Sequence, residues 1–470
     1  MCLPERMIVM TNKEEQLLLK REKGYDKPNQ NEKRKVFDFS EDYKEFIKVA
    51  KTERTSVKKS IELLEKEGFK KFERGMKLKA GDKVYFENRG KALVAAKIGK
   101  GSVKDGLSLV GAHVDSPRLD LKPIPLFETD GMLYIKTHYY GGIKKFQWPV
   151  MPLSMYGTVA LKNGKTVDIV IGEDKNDPVF VITDILPHLG VAQMKKTGPE
   201  IITAEQLNAI GATIPYDDED AKEKIKLNFM SILNRKYKIT EEDLISADIS
   251  LVPAFEPRDT ALDGSLVAAY GHDDRVCAYT GLKALLDSKV TDKTQMLLLA
   301  DREEVGSMGN TGMESNFLMY VVEELCEIDN SKLRDALSNT TCLSADVCAA
   351  YDPMFAEVFE KNNSMFLNGG VALMKYTGAR GKSGSSEAGA ELIAKIRNIF
   401  DKGLVKWQIG ELGKTDEGGG GTIAQIVANL GADVIDCGVP LLSMHSPYEV
   451  ASKYDIYMAY KGYKAFFENN

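Results

Sequence analysis

The run Met296-Leu297-Leu298-Leu299-Ala300 is closed at once by Asp301-Arg302-Glu303-Glu304-Val305-Gly306-Ser307. A segment that is apolar at every position, not at alternate ones, has to be covered on both faces, which is the condition of a strand inside a parallel sheet. The polar residues that end it then stand at the strand's carboxyl end, where open α/β sheets place their ligands. Two adjacent glutamates at such a point repel and shift each other's pKa unless a proton or a cation intervenes. One carboxylate as metal ligand beside one as general base is a consistent division of labour. By itself a Glu-Glu pair is equally the mark of a solvated loop, since charged residues are mostly exposed.

The same pattern recurs along the chain. Leu107-Ser108-Leu109-Val110-Gly111-Ala112 leads into His113-Val114-Asp115-Ser116-Pro117-Arg118, and Thr341-Cys342-Leu343-Ser344-Ala345 leads into Asp346. Residues 434–440 read as a strand followed by the loop Leu441-Leu442-Ser443-Met444-His445-Ser446-Pro447. Tyr270-Gly271-His272-Asp273-Asp274-Arg275 opens a helical pattern with Val276, Tyr279, Leu282, Leu285 and Leu286 on one face, which puts Asp273 at a helix amino terminus. Five segments thus each offer metal-type side chains at the edge of an apolar element: His113 with Asp115, Asp273, Glu303 with Glu304, Asp346, and His445. Imidazole and carboxylate without thiolate suit zinc, manganese or cobalt in a catalytic site. Singly, each residue is as well explained by a structural histidine or a helix cap.

A chain of 470 residues exceeds one ordinary core and predicts two or three domains. With 43% hydrophobic and 28% charged residues the composition is that of a globular protein, and a net charge of -6 argues against a general nucleic-acid or anionic-membrane binder. The six cysteines include no C-x-x-C pair, so reduced core thiols are expected. No stretch reaches the roughly 18 consecutive apolar residues of a membrane span. The start of the chain lacks an apolar signal core, which places the protein in the cytoplasm, with Met1 or Met10 as the first residue.

Residues 40–69 read as amphipathic helix ended by Gly68, and 83–86 and 92–98 as strands. From Leu121 to about Pro253 the texture changes to an inserted, mainly β unit. It has prolines at 123 and 125, an Asn163-Gly164 hairpin turn, and a further strand expected at 179–185. The charged residues 217–226 read as a solvated loop or helix, and 454–467 as an aromatic-striped helix.

Taken together, Gly111-Ala112-His113-Val114-Asp115-Ser116-Pro117-Arg118, Asp301 to Ser307, Ser344-Ala345-Asp346 and Ser443-Met444-His445-Ser446-Pro447 resemble, in matching order, the motifs of the aspartyl aminopeptidase family of dinuclear zinc metallopeptidases. The resemblance implies a zinc-peptidase-like doubly wound α/β sheet flanked by helices, formed by residues 1–120 and 254–470 and interrupted by a mainly β dimerisation domain at 121–253. It implies two Zn²⁺ per subunit, for which Mn²⁺ or Co²⁺ can substitute, peptide substrates, and dimers assembled into a dodecamer. Carried over by position, His113 and Asp346 complete one metal site, Glu304 and His445 the other, and Asp273 bridges them, although Asp274 competes for that place. Glu303 is then the general base and Asp115 orients the His113 ring. Lys375, with Arg380 and Lys382 nearby, stands at a substrate position that implies acidic amino-terminal residues. His188 stands in a loop whose histidine reaches a neighbouring subunit's site. The run Asp416 to Thr422 replaces a Gly-Ser-Thr turn near the substrate. Physical logic agrees: two metals about 3.5–4 Å apart need a shared carboxylate and a nearby base for the water's proton.

Three other readings compete. Gly381-Lys382-Ser383 echoes a phosphate loop, but the first glycine such a loop needs falls at Tyr376. A related dinuclear amidase or deacetylase would share the fold, and a non-catalytic scaffold would keep metals for structure alone.

Overall fold

Met296 and Leu298 pack into one hydrophobic core and Leu297 and Leu299 into another, so their strand is covered on both faces as its composition demands. The computed structural model describes residues 29–470 without a break, together with residues 13, 17–19, 21, 24 and 25. The alternative starts at Met1 and Met10, and Cys2, lie outside the described residues.

Helices α1 (Gln30–Val49) and α2 (Glu53–Lys66) precede four strands, β1 (Lys70–Lys71), β2 (Lys83–Asn88), β3 (Ala92–Lys97) and β4 (Leu107–His113). The chain then builds β5 (Arg118–Thr129), β6 (Met132–Tyr140), β7 (Leu153–Ala160), β8 (Thr166–Ile171), β9 (Ala209–Ala212), helix α3 (Lys224–Tyr237) and β10 (Ala247–Pro253). Next come β11 (Arg258–Thr260), β12 (Leu266–Ala269), helix α4 (His272–Asp287), β13 (Thr294–Ala300), helix α5 (Phe317–Cys326), β14 (Thr341–Ser344), β15 (Cys348–Ala349) and β16 (Val371–Met374). Helix α6 (Ala390–Lys402), β17 (Trp407–Gly410), β18 (Asp433–Gly438), β19 (Pro440–Leu442), β20 (Glu449–Ser452) and helix α7 (Lys453–Asn469) complete the chain.

Nine strands form the main sheet in the order β1-β2-β3-β13-β4-β14-β18-β16-β17. At its centre β13, β4, β14 and β18 are mutually parallel, so their carboxyl ends share one edge. Helices α1, α4, α6 and α7 cover the face that carries Leu297 and Val110, and α5 covers the face that carries Met296 and Leu109. Six antiparallel strands drawn from Arg118 to Pro253, in the order β8-β7-β10-β5-β6-β9, make a second sheet with its own core around Leu119, Leu133, Trp148 and Phe229. A third sheet, β11-β12-β20-β19-β15, lies beside the first.

Two expected elements differ. The first helix begins at Gln30, ahead of residue 40, because Asn29 caps it by accepting from the Asn31 N–H, and only Val36 and Phe39 mark its early buried face. The strand expected at 179–185 is absent: Phe180 alone bridges to Leu153, and Phe180 and Ile182 are buried in the core of the second sheet while Val179 and Ile185 are exposed, so the apolar residues there pack without continuous strand pairing. The charged stretch at 217–226 is loop until α3 begins at Lys224. The five described cysteines are free and buried, as expected of reduced core thiols.

Candidate metal centre

The parallel centre of the sheet delivers three of the singled-out segments to one edge. His113 is the last residue of β4, Asp301 to Glu304 follow β13 directly, and Asp346 lies two residues beyond β14. Asp273 stands at the start of α4 with non-helical backbone (φ -78°, ψ 106°), so the regular helix begins beyond it and its carboxylate is free to turn outward. Lys97 holds the far end of this helix, its Nζ donating to the carbonyls of Leu285 and Ser288 at 2.6 Å each. His445 comes from the loop between β19 and β20.

His113 Nε2 lies 3.1 Å from Asp273 Oδ1 and 3.8 Å from both Glu303 Oε2 and Asp346 Oδ1. His445 Nε2 lies 3.2 Å from Asp273 Oδ2 and 3.6 Å from Glu304 Oε2. Two groups result, His113-Asp273-Asp346 and Asp273-Glu304-His445, each with its ligand-type atoms within 4.8 Å of one another. They share Asp273, one oxygen facing each histidine. Asp274 sits behind, its Oδ2 accepting the His113 backbone N–H at 3.2 Å, and belongs to neither group. Glu303 also stands outside both groups, beside the first.

The histidine tautomers follow from their other nitrogens. His445 Nδ1 lies 2.8 Å from the Gly142 carbonyl, which only accepts, so Nδ1 carries the hydrogen. His113 Nδ1 lies 3.0 Å from the Asp115 carbonyl and 3.3 Å from Asp115 Oδ1, with the same consequence. Each ring therefore directs Nε2 at carboxylate oxygens, a position that calls for either a proton on Nε2 or a divalent cation between the nitrogen and those oxygens. The buried Glu304 Oε1 has no hydrogen-bond partner, a second sign that this donor set fits metal ions.

The acid–base properties agree. Burial, then the charge of Asp273, holds Glu304 well above the carboxylate range, and burial with the charge of Asp274 does the same to Asp346. Burial, aided by the charges of Asp273 and Asp115, pushes Glu303 up to about 7. Burial alone would lower His445, but its bond to Asp273 and the charge of Glu304 carry it up to about 10. Protons and cations compete for the same oxygens here.

Asp115 is buried, and both its oxygens are taken. Oδ1 accepts the Glu303 N–H at 3.1 Å, while Oδ2 accepts the Glu304 N–H at 3.2 Å and the Tyr140 hydroxyl at 2.8 Å. Its burial is offset by the His113 ring and Tyr140, which bring its pKa below the ordinary value. A cavity of about 580 Å³ opens beside the cluster, lined by Asp273, Glu303, Glu304, Asp346 and His445, and by apolar Val347, Met374, Leu412, Ile426 and Met444. The Gly-rich turn 419–421 and Thr422 form another wall, with the Gly420 N–H donating to Thr377 O at 2.9 Å and Thr422 Oγ1 donating to Asp436 at 2.7 Å. The larger cavity of about 1460 Å³, lined by Trp407, Tyr351 and Tyr457, contains none of the clustered residues.

Two singled-out residues are not drawn into the cluster. Lys375 follows the cavity-lining Met374, but its Nζ lies 3.3 Å from Glu387, which Lys382 approaches at 3.1 Å. His188 sits exposed in a loop of the second sheet. Conversely, the sequence reading passed over Glu449, which accepts the N–H of Asp273 at 3.0 Å and of His445 at 2.7 Å. It also passed over Tyr140-Gly141-Gly142. The available signals were an acid four residues after a ligand-type histidine, and a Gly-Gly pair ending an aromatic strand.

The family of aminopeptidase I zinc metalloproteases (M18) matches residues 46–467. A probable M18 family aminopeptidase 1 of Clostridium acetobutylicum is 48% identical over 461 residues, covering 96% of this chain and 99% of that protein. The crystal structure of an M18 family aminopeptidase from Thermotoga maritima superposes with a TM-score of 0.91 at 42% identity, covering 96% of this chain and all of that one. That of aminopeptidase I from C. acetobutylicum gives 0.90 at 46% identity, over 96% of this chain and 100% of that one.

Gly141 has φ 76°, and a Cβ on it would stand 3.2 Å from Glu304 Oε2, whereas Gly131, at φ 78°, has open space around the same position. Both Gly→Ala variants should therefore lose about 1 kcal/mol of stability to left-handed strain. Only Gly141→Ala should also displace Glu304, lowering peptidase turnover about tenfold or more. Denaturant unfolding and initial rates on the two purified variants make the comparison, and equal activity in both would show that Gly141 does not shape the site.

Proposed function

Since this chain belongs to the M18 family of zinc aminopeptidases, we propose that it removes amino-terminal residues from peptides at the cluster around Asp273, by attack of a water whose proton Glu303 accepts. The observation that carries this reading is the pair of three-residue groups sharing Asp273, with Glu303 beside them and outside both. Membership in a peptidase family sets aside the nucleotide-hydrolase, amidase and scaffold alternatives.

In this proposal His113, Asp273 and Asp346 hold one zinc ion, and Asp273, Glu304 and His445 the other. When bound, the two ions supply Lewis acidity to the scissile carbonyl and acidify the attacking water. Asp115 fixes the His113 ring and, through the N–H groups of Glu303 and Glu304, the turn that carries both glutamates. Glu303 stands 3.8 Å from His113 Nε2 without belonging to either group, so its carboxylate is free to take the water's proton at one oxygen and return it to the leaving amine nitrogen as the C–N bond breaks. In the same proposal residues 29–117 and 254–470 form the catalytic unit and 118–253, which begin with β5 three residues ahead of the expected boundary at 121, the dimerisation unit. Exposed Leu186, Leu189, Val191 and Met194 around His188 give that loop an apolar surface suited to a second subunit, and support a homo-oligomer of the dodecameric kind. His188 then donates to the oxyanion in its neighbour's site. No helix among the described residues is long and apolar enough to cross a membrane, and the cytoplasm is the proposed location.

The finer reading of specificity is a preference for acidic first residues, which rests on Lys375. Its pairing with Glu387 offsets that charge, and among the described residues neither lysine nor arginine lines the cavity, whose walls beyond the acidic cluster are apolar or neutral polar, an observation that favours a neutral first residue as the second reading.

Glu303→Gln should keep its zinc and lose about 10²–10⁴-fold in turnover of unblocked peptides, while Glu304→Gln should lose zinc first. Metal analysis beside rates on free and amino-blocked peptides tests both; cleavage of blocked peptides would rule out an aminopeptidase, and the reverse order of metal loss would exchange the two roles. Lys375→Ala should lower kcat/KM for Asp- and Glu-headed peptides relative to Leu- and Lys-headed ones, and unchanged ratios would discard the acidic preference. His188→Ala should be fully metallated and about 10²–10³-fold slow. Reassembling it with Glu303→Ala subunits should restore activity, because a mixed interface contains one site with both residues intact. No recovery in verified mixed assemblies would place His188 outside its neighbour's chemistry.

A further inference from the structure

Glu449 begins β20 and is 1% exposed. Its two oxygens point in different directions: Oε1 accepts the N–H of His445 at 2.7 Å and Oε2 the N–H of Asp273 at 3.0 Å. One of these backbones carries the carboxylate shared by both metal groups, and the other carries the histidine of the second. The loop that presents the histidine is conformationally unusual, with Ser443 at φ 59° and His445 at φ 64°, the left-handed region that L residues seldom adopt. Such a backbone persists only where its surroundings hold it in place. His445 is held at two points: its ring by Nδ1–H donating to the Gly142 carbonyl at 2.8 Å, and its main chain by Glu449.

We propose that Glu449 is a positioning residue, a buried carboxylate strut that fixes His445 relative to Asp273 and thereby sets the affinity of the metal ion held by Asp273, Glu304 and His445. This rests on the reading of the cluster as a dinuclear metal centre. Glu449 belongs to neither metal group, and both of its oxygens are engaged by main-chain donors. A carboxylate is required because both ends must accept. A glutamine at 449 offers one carbonyl oxygen and one NH₂, so one of the two N–H groups would face a donor. An aspartate is shorter by one methylene and cannot span both. The shared residue Asp273 is tethered a second time by Ser116, whose Oγ donates to the Asp273 carbonyl, and His445 has no such second main-chain tether among the described residues. The second metal group is therefore the one that depends on Glu449.

The test uses the zinc-loaded protein and the variants Glu449→Gln and Glu449→Asp, with two readouts. Zinc content is followed through a series of chelator-buffered zinc concentrations, and amide hydrogen exchange is followed by mass spectrometry. The expected result is that one of two ions binds about 10–100-fold more weakly in both variants. Exchange should quicken in peptides covering residues 271–275 and 443–449, with wild-type protection in the six-stranded sheet. Excess zinc should refill the site without restoring full kcat, because His445 remains misplaced. Two ions held with wild-type affinity in both variants would overturn the proposal, as would quickened exchange throughout the chain, which marks a residue needed only for folding. A wild-type protein that binds no zinc would instead overturn the metal-centre reading, and the local exchange result would then decide by itself whether Glu449 holds the loop.

Discussion

Concentrated buried negative charge is the constraint to which the rest of this structure answers. Asp115, Asp273, Asp274, Glu303, Glu304, Asp346 and Glu449 gather around two histidines, and of these only Glu303 and Glu304 are more than slightly exposed as residues. Burying an ion without compensation costs several kcal/mol, so each carboxylate has to find donors, protons or cations. The donors divide them into two sets. Asp115 receives two backbone N–H groups and a tyrosine hydroxyl, Glu449 two backbone N–H groups and Asp274 one. Asp273, Glu303, Glu304 and Asp346 receive no main-chain hydrogen bond and face the histidines instead. Asp115 and Glu449 are scaffold, because their acceptors are spent on holding the main chain, whereas Asp274 gives Oδ2 to the His113 N–H and leaves its buried Oδ1 without a hydrogen-bond partner among the described residues. The second set keeps its lone pairs for something that the chain itself does not provide.

Topology makes this crowding possible. Neighbouring parallel strands end side by side, so β4 contributes its last paired residue, His113, β14 contributes Asp346 two positions beyond its last pair, and β13 contributes Glu303 and Glu304 three and four positions beyond its last pair. Hydrophobic cores on both faces of the sheet keep these ends from shifting. The charge cluster thus sits at the end of a strand layer that is packed by a hydrophobic core on each face.

What could be read from the sequence follows from the same physics. β13, β4 and β14 were legible because burial on both faces imposes unbroken apolar runs, and the polar residues closing them were legible because a strand must end where such a run ends. The segment at 179–185 has the same apolar character, but only Phe180 pairs as a bridge; Phe180 and Ile182 are buried in the core of the second sheet while Val179 and Ile185 are exposed, so part of its composition reflects burial without a regular strand. Gln30 to Phe39 was missed as helix since its early turns face solvent and show little periodicity. Glu449 was not legible because what it binds is main chain, and nothing in a residue's identity announces that two distant N–H groups will converge on it. Lys375 was legible as a cation near the cavity, while its neutralising partner Glu387 depends on a turn that bridges Tyr376 to Glu387, eleven positions on.

The second sheet is joined to the cluster more tightly than its separate core implies. It starts at Arg118, three residues after Asp115, and the β5–β6 hairpin returns Tyr140 to donate to that same carboxylate. The Arg118 guanidinium lies over the Tyr140 ring at 4.0 Å and pairs with Glu53 of α2 at 3.0 Å, which pins the hairpin to the helices behind the main sheet. One step further, the Gly142 carbonyl fixes the His445 ring, and Gly141 lies against Glu304 so closely that a Cβ would be in tight contact. A hinge that swung this sheet away would have to break the Gly142 bond that orients His445 and the Tyr140 bond to the carboxylate beside His113, so the sheet is a wall of the site. The cavity is bounded opposite the cluster by the Gly-rich turn ending at Thr422, which is tied to its neighbours through Thr377 and Asp436. None of those ties involves Ser116, Glu449, Asp115 or Gly142, so the turn takes no part in holding Asp273 between its histidines.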